Sequence, residues 1–474
     1  MAGTKNLTEG PPIRLILGFA VPLLFGMLFQ QFYGMVDTII VGKHLGVKEL
    51  AGVGATASVN FMVIGFCCGV CNGFSLPIAK YFGAGDYRGM RRFLTNAILL
   101  SAFFSVLVTA CVCYYCRDIL RLMNTPEDIL DSSYTYIIII FAGIPATILY
   151  NLAASVIRSL GDSKTPVLIL VGASLMNIAM DLITIGYYGM GVEGAATATV
   201  ISQLCSGMAC VTYLRKKMKF LHPLREEWKP DRKILGELCM MGLPMGLQYS
   251  ITAIGSVILQ TAVNGLGSAS VAAMTAGSRL HCFAACPFDA LGSAMATWSG
   301  QNLGAKKIDR VQAGVQYAAV MGGIYSLLAL LVMRLLGGRA ALLFINSGET
   351  EILEDVKLYI NIVTMFFFSL CCVNVFRFAI QGLGYSGLAL FAGVFELIGR
   401  SAAGLVLIPH FGFAGACMAG PAAWLLADAF LIPVFYWCIR RIRASLNVKK
   451  NALVIPRLTG RNAWKSPVRH RHHA

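Results

Sequence analysis

Charge is scarce in this chain. Of its 474 residues only 13% are Asp, Glu, Lys or Arg, about half the share of a soluble domain. So few ionic groups cannot cover a water-facing surface, which excludes a soluble globular protein. A phosphate loop is also missing. The single Gly-Lys pair is Gly42-Lys43, and Asp37 stands where the loop's first glycine would be, so ATP is excluded as an energy source. The fifteen cysteines show no zinc-type spacing with histidine. Those at Cys67, Cys68, Cys71, Cys111, Cys113, Cys371 and Cys372 fall in apolar runs and read as small polarizable packing residues. No short apolar core with a small-residue cleavage site opens the chain. The first run is long and carries Gln30, Gln31 and Asp37, so it is expected to stay as a span.

Apolar residues are plentiful, at 57%, with a mean hydropathy of +0.69. Their runs are unbroken over 20 or more residues, unlike the alternating segments of about ten that build membrane barrels. Twelve runs can be counted: 13–41, 50–79, 93–116, 131–157, 165–188, 193–214, 234–264, 269–298, 312–336, 352–381, 386–409 and 413–439. Assigning both termini and the even-numbered connections to one side gives that side 30 Lys/Arg and the other seven, leaving Arg279 and Arg400 inside spans. By the positive-inside rule both termini are expected in the cytoplasm. The net charge of +16 then needs no nucleic acid as partner.

The two sets of six runs resemble each other. Pro22 pairs with Pro244, Phe82-Gly83-Ala84-Gly85 with Leu303-Gly304-Ala305-Lys306, and Ile157 to Gly161 with Ile380 to Gly384, at offsets of 222, 221 and 223. An even number of spans per copy makes the copies parallel, related by an axis along the membrane normal. The expected fold is an all-α membrane protein of twelve transmembrane helices in two parallel six-helix lobes. The lobes cover 1–214 and 234–439, joined by a basic linker at 215–233, with a basic tail at 440–474. A cleft between such lobes is where transporters commonly hold substrate.

Chemistry is sought among acids inside the spans, because a carboxylate in hydrocarbon is expensive and faces a cavity or a partner. At 1.5 Å per residue, Asp37, Asp181 and Thr199 lie about 6, 10 and 9 Å below the outer surface. Asn177 shares a helical face with Asp181, and Gln30, Tyr33 and Asp37 form an i, i+3, i+7 stripe. Hard oxygen ligands at one depth suit Na⁺, and two adjacent acids suit a shared proton. Interhelical hydrogen bonding alone is the competing reading, weakened because no cation in these spans neutralises the pair. Glu396 and Arg400 are spaced as an internal ion pair, while Asp289 and Asp428 read as hydrogen-bonded structural residues. Met27, Met62, Met176 and Met180 suit either packing or an adaptable pocket. The tail Arg469-His470-Arg471-His472-His473-Ala474 reads as a solvated terminus rather than a divalent-metal trap.

These residues resemble the multidrug and toxic compound extrusion (MATE) family, within a larger group that includes polysaccharide and lipid flippases. The resemblance rests on Gln30-Gln31-Phe32-Tyr33-Gly34-Met35-Val36-Asp37-Thr38, Arg158-Ser159-Leu160-Gly161-Asp162, Asn177-Ile178-Ala179-Met180-Asp181, Gly191-Val192-Glu193-Gly194-Ala195-Ala196, Gly300-Gln301-Asn302-Leu303-Gly304-Ala305 and Gln381-Gly382-Leu383-Gly384. It implies a monomeric plasma-membrane antiporter, not an enzyme. Such a protein needs no cofactor and exports small organic cations in exchange for Na⁺ or H⁺. The ion site it implies is Asp37, Asn177, Asp181 and Thr199, with the Ala195 carbonyl added; if the ion is Na⁺, the first four are its metal ligands. Gln30, Tyr33, Met27, Asn151, Met180 and Glu396 are the expected substrate-cavity residues. Family branches with a second acidic site carry it in the seventh and tenth spans, and the seventh is read here as lacking an acid. A flippase for lipid-linked oligosaccharides or polysaccharides is the alternative; its cavity needs cations for pyrophosphate, and Arg279 and Arg400 are the candidates.

Overall fold

The computed structural model describes residues 5–123, 125–342, 345 and 349–454, with side chains given to Asn447 apart from Val47. The histidine-rich tail therefore lies outside the described residues. Nine helices among the described residues are long and apolar enough to span a bilayer. In the first half these are Pro12–Leu45, Ala57–Gly83, Tyr87–Tyr114, Lys164–Tyr187 and Val192–Lys217; in the second, Arg232–Asn264, Ile308–Ala341, Ser386–Phe411 and Phe413–Asn447. Two more spans, the fourth and tenth, are each broken. Glu127–Ala142 meets Ile144–Ser159 at 47°, and Thr350–Met365 meets Phe367–Gly382 at 50°. The eighth span, Ser268–Gly304, is the longest at 37 residues. It is rich in Ala, Gly and Ser because it packs against the first, second, ninth and tenth spans rather than against lipid.

The duplication read from three sequence matches is present in the backbone. Four turns with positive φ recur at the same offsets: Gly46 with Gly267, Gly85 with Lys306, Gly161 with Gly384, and Gly189 with Gly412. Lys306, at φ 59°, is the one non-glycine residue with positive φ among those described, and its twin is a glycine. A widened π turn ends the α-helix in both the fifth and eleventh spans, at Leu182–Tyr187 and Ala403–Leu407.

One arginine is placed differently from the sequence reading. Arg377, counted there with a connection, is buried within Phe367–Gly382. Moving it leaves the charge asymmetry intact. Glu237 corrects the reading of the seventh span as free of acids. It lies in that helix near its start, exposed beside Tyr81 rather than at membrane depth.

The halves meet along a seam at the end that carries both termini. Gly69 and Gly73 of the second span press against the backbone of Met245 and Gly242 in the seventh, where a Cβ would collide. The N-terminal segment is clamped beside this seam: Leu7 N–H donates to Gln301 Oε1 at 3.0 Å, and Arg310 and Lys307 donate to the carbonyls of Gly10 and Thr8. Farther out the contacts thin to Ser250 with the Met62 carbonyl, Phe61 with Tyr249, and Phe32 with Phe283. Beyond these, no hydrogen bond or ring contact joins the halves among the described residues. About 20 Å of the first, seventh and eighth spans, at 1.5 Å per residue, extends outward past these contacts. The first span belongs to both halves. Its inner residues Ile16, Phe19 and Leu23 sit in the core of the second half, and its outer residues Ile40 and Val41 pack with Ile185 and Ala195 of the first.

Candidate functional site

The outer part of the first span brings Tyr33 and Asp37 to Asn177 and Asp181 of the fifth and Thr199 of the sixth. Observed helix ends put Asp37, Asp181 and Thr199 about 12, 9 and 10 Å from the outer ends of their spans, closer to one level than the sequence count. The Tyr33 hydroxyl donates to Asn177 Oδ1, and Asn177 Nδ2 donates to Thr199 Oγ1 at 3.5 Å. The Asp37 and Asp181 carboxylates adjoin. Asp181 is wholly buried, yet neither of its oxygens has a donor among the described residues, and Asp37 Oδ1 also lacks one. A buried carboxylate is tolerated only with a proton, a cation or a donor.

Tyr136, in the fourth span, stands beside both carboxylates and was missed. It lies in the run Tyr134-Thr135-Tyr136-Ile137-Ile138-Ile139-Ile140, where nothing distinguishes it from lipid-facing or core tyrosine. Ala195 sits one turn before Thr199 in an apolar cluster with Ile40, Val41 and Ile185.

The expected substrate-cavity residues divide among separate places. Met27, Gln30 and Asn151 line one cavity of about 220 Å³ in the first half, together with Arg158 and Gln203. It lies directly inward of the carboxylates, since Gln30 precedes Tyr33 by one turn and Gln203 follows Thr199 by one. Tyr33 belongs to the carboxylate level instead. Met180 is half-buried outside this cavity, its carbonyl accepting from Thr184 Oγ1 at 2.9 Å.

Glu396 belongs to the other half. Arg377 donates to its Oε1, and Arg400 lies 3.7 Å from Oε2. The expected i, i+4 pair therefore exists, but its closer partner is the arginine that the sequence reading left in a connection. Arg400 also donates to the Thr252 carbonyl at 3.2 Å and Ser256 Oγ at 3.1 Å. Adding the repeat offset of 222 to Tyr33 and Asp37 gives Gly255 and Leu259, and adding 223, the offset of the turns that flank the fifth span, to Asn177 and Asp181 gives Arg400 and Gly404. The acids have no counterparts, and the Arg400 side chain lies against Gly255. Asp428 accepts from Ser369 Oγ at 2.6 Å, as a structural residue should. Asp289 departs from that reading, being exposed within the bundle and without a hydrogen bond among the described residues. Arg279 is likewise exposed, one turn from Phe283 on the face of the eighth span that meets Phe32. His281 stacks on Trp424.

The MatE family model matches residues 22–183 and 244–401, one match in each half. "Probable multidrug resistance protein YoeA" of Bacillus subtilis is 29% identical over 321 residues, covering 65% of this chain and 69% of that protein. The "Multidrug resistance protein PmpM" of Pseudomonas aeruginosa is 27% identical, covering 72% of each. The "FAD transporter" of Shewanella oneidensis is 24% identical, covering 80% of this chain and 84% of that one. Among solved structures, a MATE in complex with MaL6 superposes with a TM-score of 0.85 at 23% identity, covering 94% of this chain and 99% of that chain. An outward-facing multidrug resistance MATE transporter gives 0.85 at 24%, covering 94% and 98%. Those two likenesses concern the fold. Sequence and fold together define a multi-pass membrane transporter of small molecules, not an enzyme. The chain belongs to the MatE family.

Proposed function

We propose that the chain is a multidrug efflux antiporter that exchanges small organic cations for Na⁺ or H⁺, with Asp37 and Asp181 holding the coupling ion. The observation carrying this reading is the fully buried Asp181, whose two oxygens find no donor while a second carboxylate lies against it. Asn177 and Thr199 supply neutral oxygens beside the pair and would complete a Na⁺ shell; for H⁺ the two acids share the charge. The lobes at 1–214 and 234–439 rock about the glycine-lined seam. With the chain in the plasma membrane and both termini in the cytoplasm, the end where the halves part faces outward.

Ion entry removes the repulsion between the acids and lets the first, fifth and sixth spans close upon each other. That closure changes the shape offered to the drug. Exchange works because the ion binds one arrangement better than the other; an ion bound equally by both would shift nothing. A single protomer contains every residue invoked, so the monomer suffices.

Efflux of a fluorescent organic cation from proteoliposomes, with Na⁺ and pH gradients imposed separately, tests the exchange. Acceleration by one gradient is expected and names the ion. Indifference of the folded protein to both would overturn the reading.

A further inference from the structure

Inward of the carboxylate pair, the first half holds a guanidinium with no acidic partner. Arg158 is the penultimate residue of the fourth span's inner helix, Ile144–Ser159. It donates to Asn72 Oδ1 at 3.1 Å and Ser155 Oγ at 2.8 Å, both neutral. All 23 acidic residues of the chain are among those described, and none pairs with it. Its side chain instead forms part of the wall of the 220 Å³ cavity that Gln30, Thr147, Asn151 and Gln203 also line. Gln203 Oε1 is buried there without a partner, so this amide can turn its N–H₂ toward a ligand at no loss. Even a half-buried cation such as Arg158 gains from a counter-charge. The cavity, with room for about seven waters at about 30 Å³ each, can admit the missing anion.

We propose that this cavity binds an anionic group, a carboxylate or phosphate borne by the transported molecule, with Arg158 as its charged partner. The carboxylate pair lies outward on the same helices, Asp37 two turns beyond Gln30 on the first span and Asp181 three turns beyond Leu170 on the fifth. A substrate carrying both charges therefore finds a negative level and a positive level in one half of the protein. Plain organic cations use the first level alone; zwitterions use both. This inference rests on the export reading above and narrows its substrate class.

The test compares two probes of one size: a cationic rhodamine methyl ester and its free acid, exported by the full-length protein in proteoliposomes. Wild-type protein is expected to move both. Arg158→Gln is expected to slow the free acid about tenfold or more, the scale of one charge-assisted hydrogen bond, and to leave the ester unchanged. Arg158→Lys, which keeps the charge but not the fork, should fall between. Gln203→Leu should also slow the free acid selectively, and it serves if Arg158→Gln fails to assemble. Equal slowing of both probes, or of neither, overturns the inference. So does a chloride dependence of ester export that Arg158→Gln abolishes, since the occupant is then a free inorganic anion. If wild type moves neither probe under a gradient, the export reading has failed instead; if it moves the ester alone, only this inference has.

Discussion

At the scale of single residues, the cost of burying charge separates structural groups from functional ones. Glu396 is enclosed between Arg377 and Arg400 and is fully used. Glu396→Gln leaves two guanidinia without an anion, and a loss of about 3–5 kcal/mol is expected, as for other broken buried pairs. A lowered thermal midpoint in detergent would register it; an unchanged midpoint would mean that Asp289 and Asp428 already neutralise the arginines. Asp181 has the opposite signature, burial without partners. That contrast could be read only partly from the chain. Asp37, Asn177, Asp181 and Thr199 were legible because helical spacing and depth are arithmetic on sequence. Tyr136 and the Arg377–Glu396 pair were not, because each depends on how separate spans are rotated toward each other, which spacing within one span does not encode.

At the scale of elements, the span count and the repeat were legible from apolar runs and three matched motifs. The bend at Gly143 did have a signal, Gly143 followed closely by Pro145, which the count of apolar runs passed over, whereas the bend at Phe366 has no breaker residue beside it. The linker shows local chemistry more plainly. Arg91, in the first turns of the third span, grips Glu227 with two hydrogen bonds of 2.8 and 2.9 Å. Thr95 and the Leu224 N–H add further bonds to the same residue. Arg91, followed by the Leu224 N–H, holds the Glu227 carboxyl below its ordinary range. A depressed carboxyl contributes stability above its unfolded pKa of about 4.3, and that contribution fades as pH falls through the folded value. Glu227→Gln is therefore expected to lower the thermal midpoint at neutral pH and to flatten its decline under acid. Parallel pH curves for variant and wild type would contradict this strap.

At the scale of the whole molecule, the first span is the element that can join ion binding to rocking. Its inner half is cemented into the second lobe's core, while its outer half carries Tyr33 and Asp37 into the first lobe. Charge at Asp37 and Asp181 therefore acts on the one helix that both lobes share. The second lobe offers no equivalent acids, because Leu259 and Gly404 occupy their twin positions and Arg400 stands at that of Asn177. The proposed exchange therefore has one coupling site per chain. The most direct measurement records ion entry and dye exit together in the same proteoliposomes, for wild type and for Asp37→Asn/Asp181→Asn. In wild type the two fluxes are expected to run in opposite directions at a fixed ratio, and in the double variant the ion flux and the gradient dependence of dye exit should both vanish. A folded double variant that still couples dye exit to ion entry at the wild-type ratio would contradict the assignment of the coupling ion to this carboxylate pair.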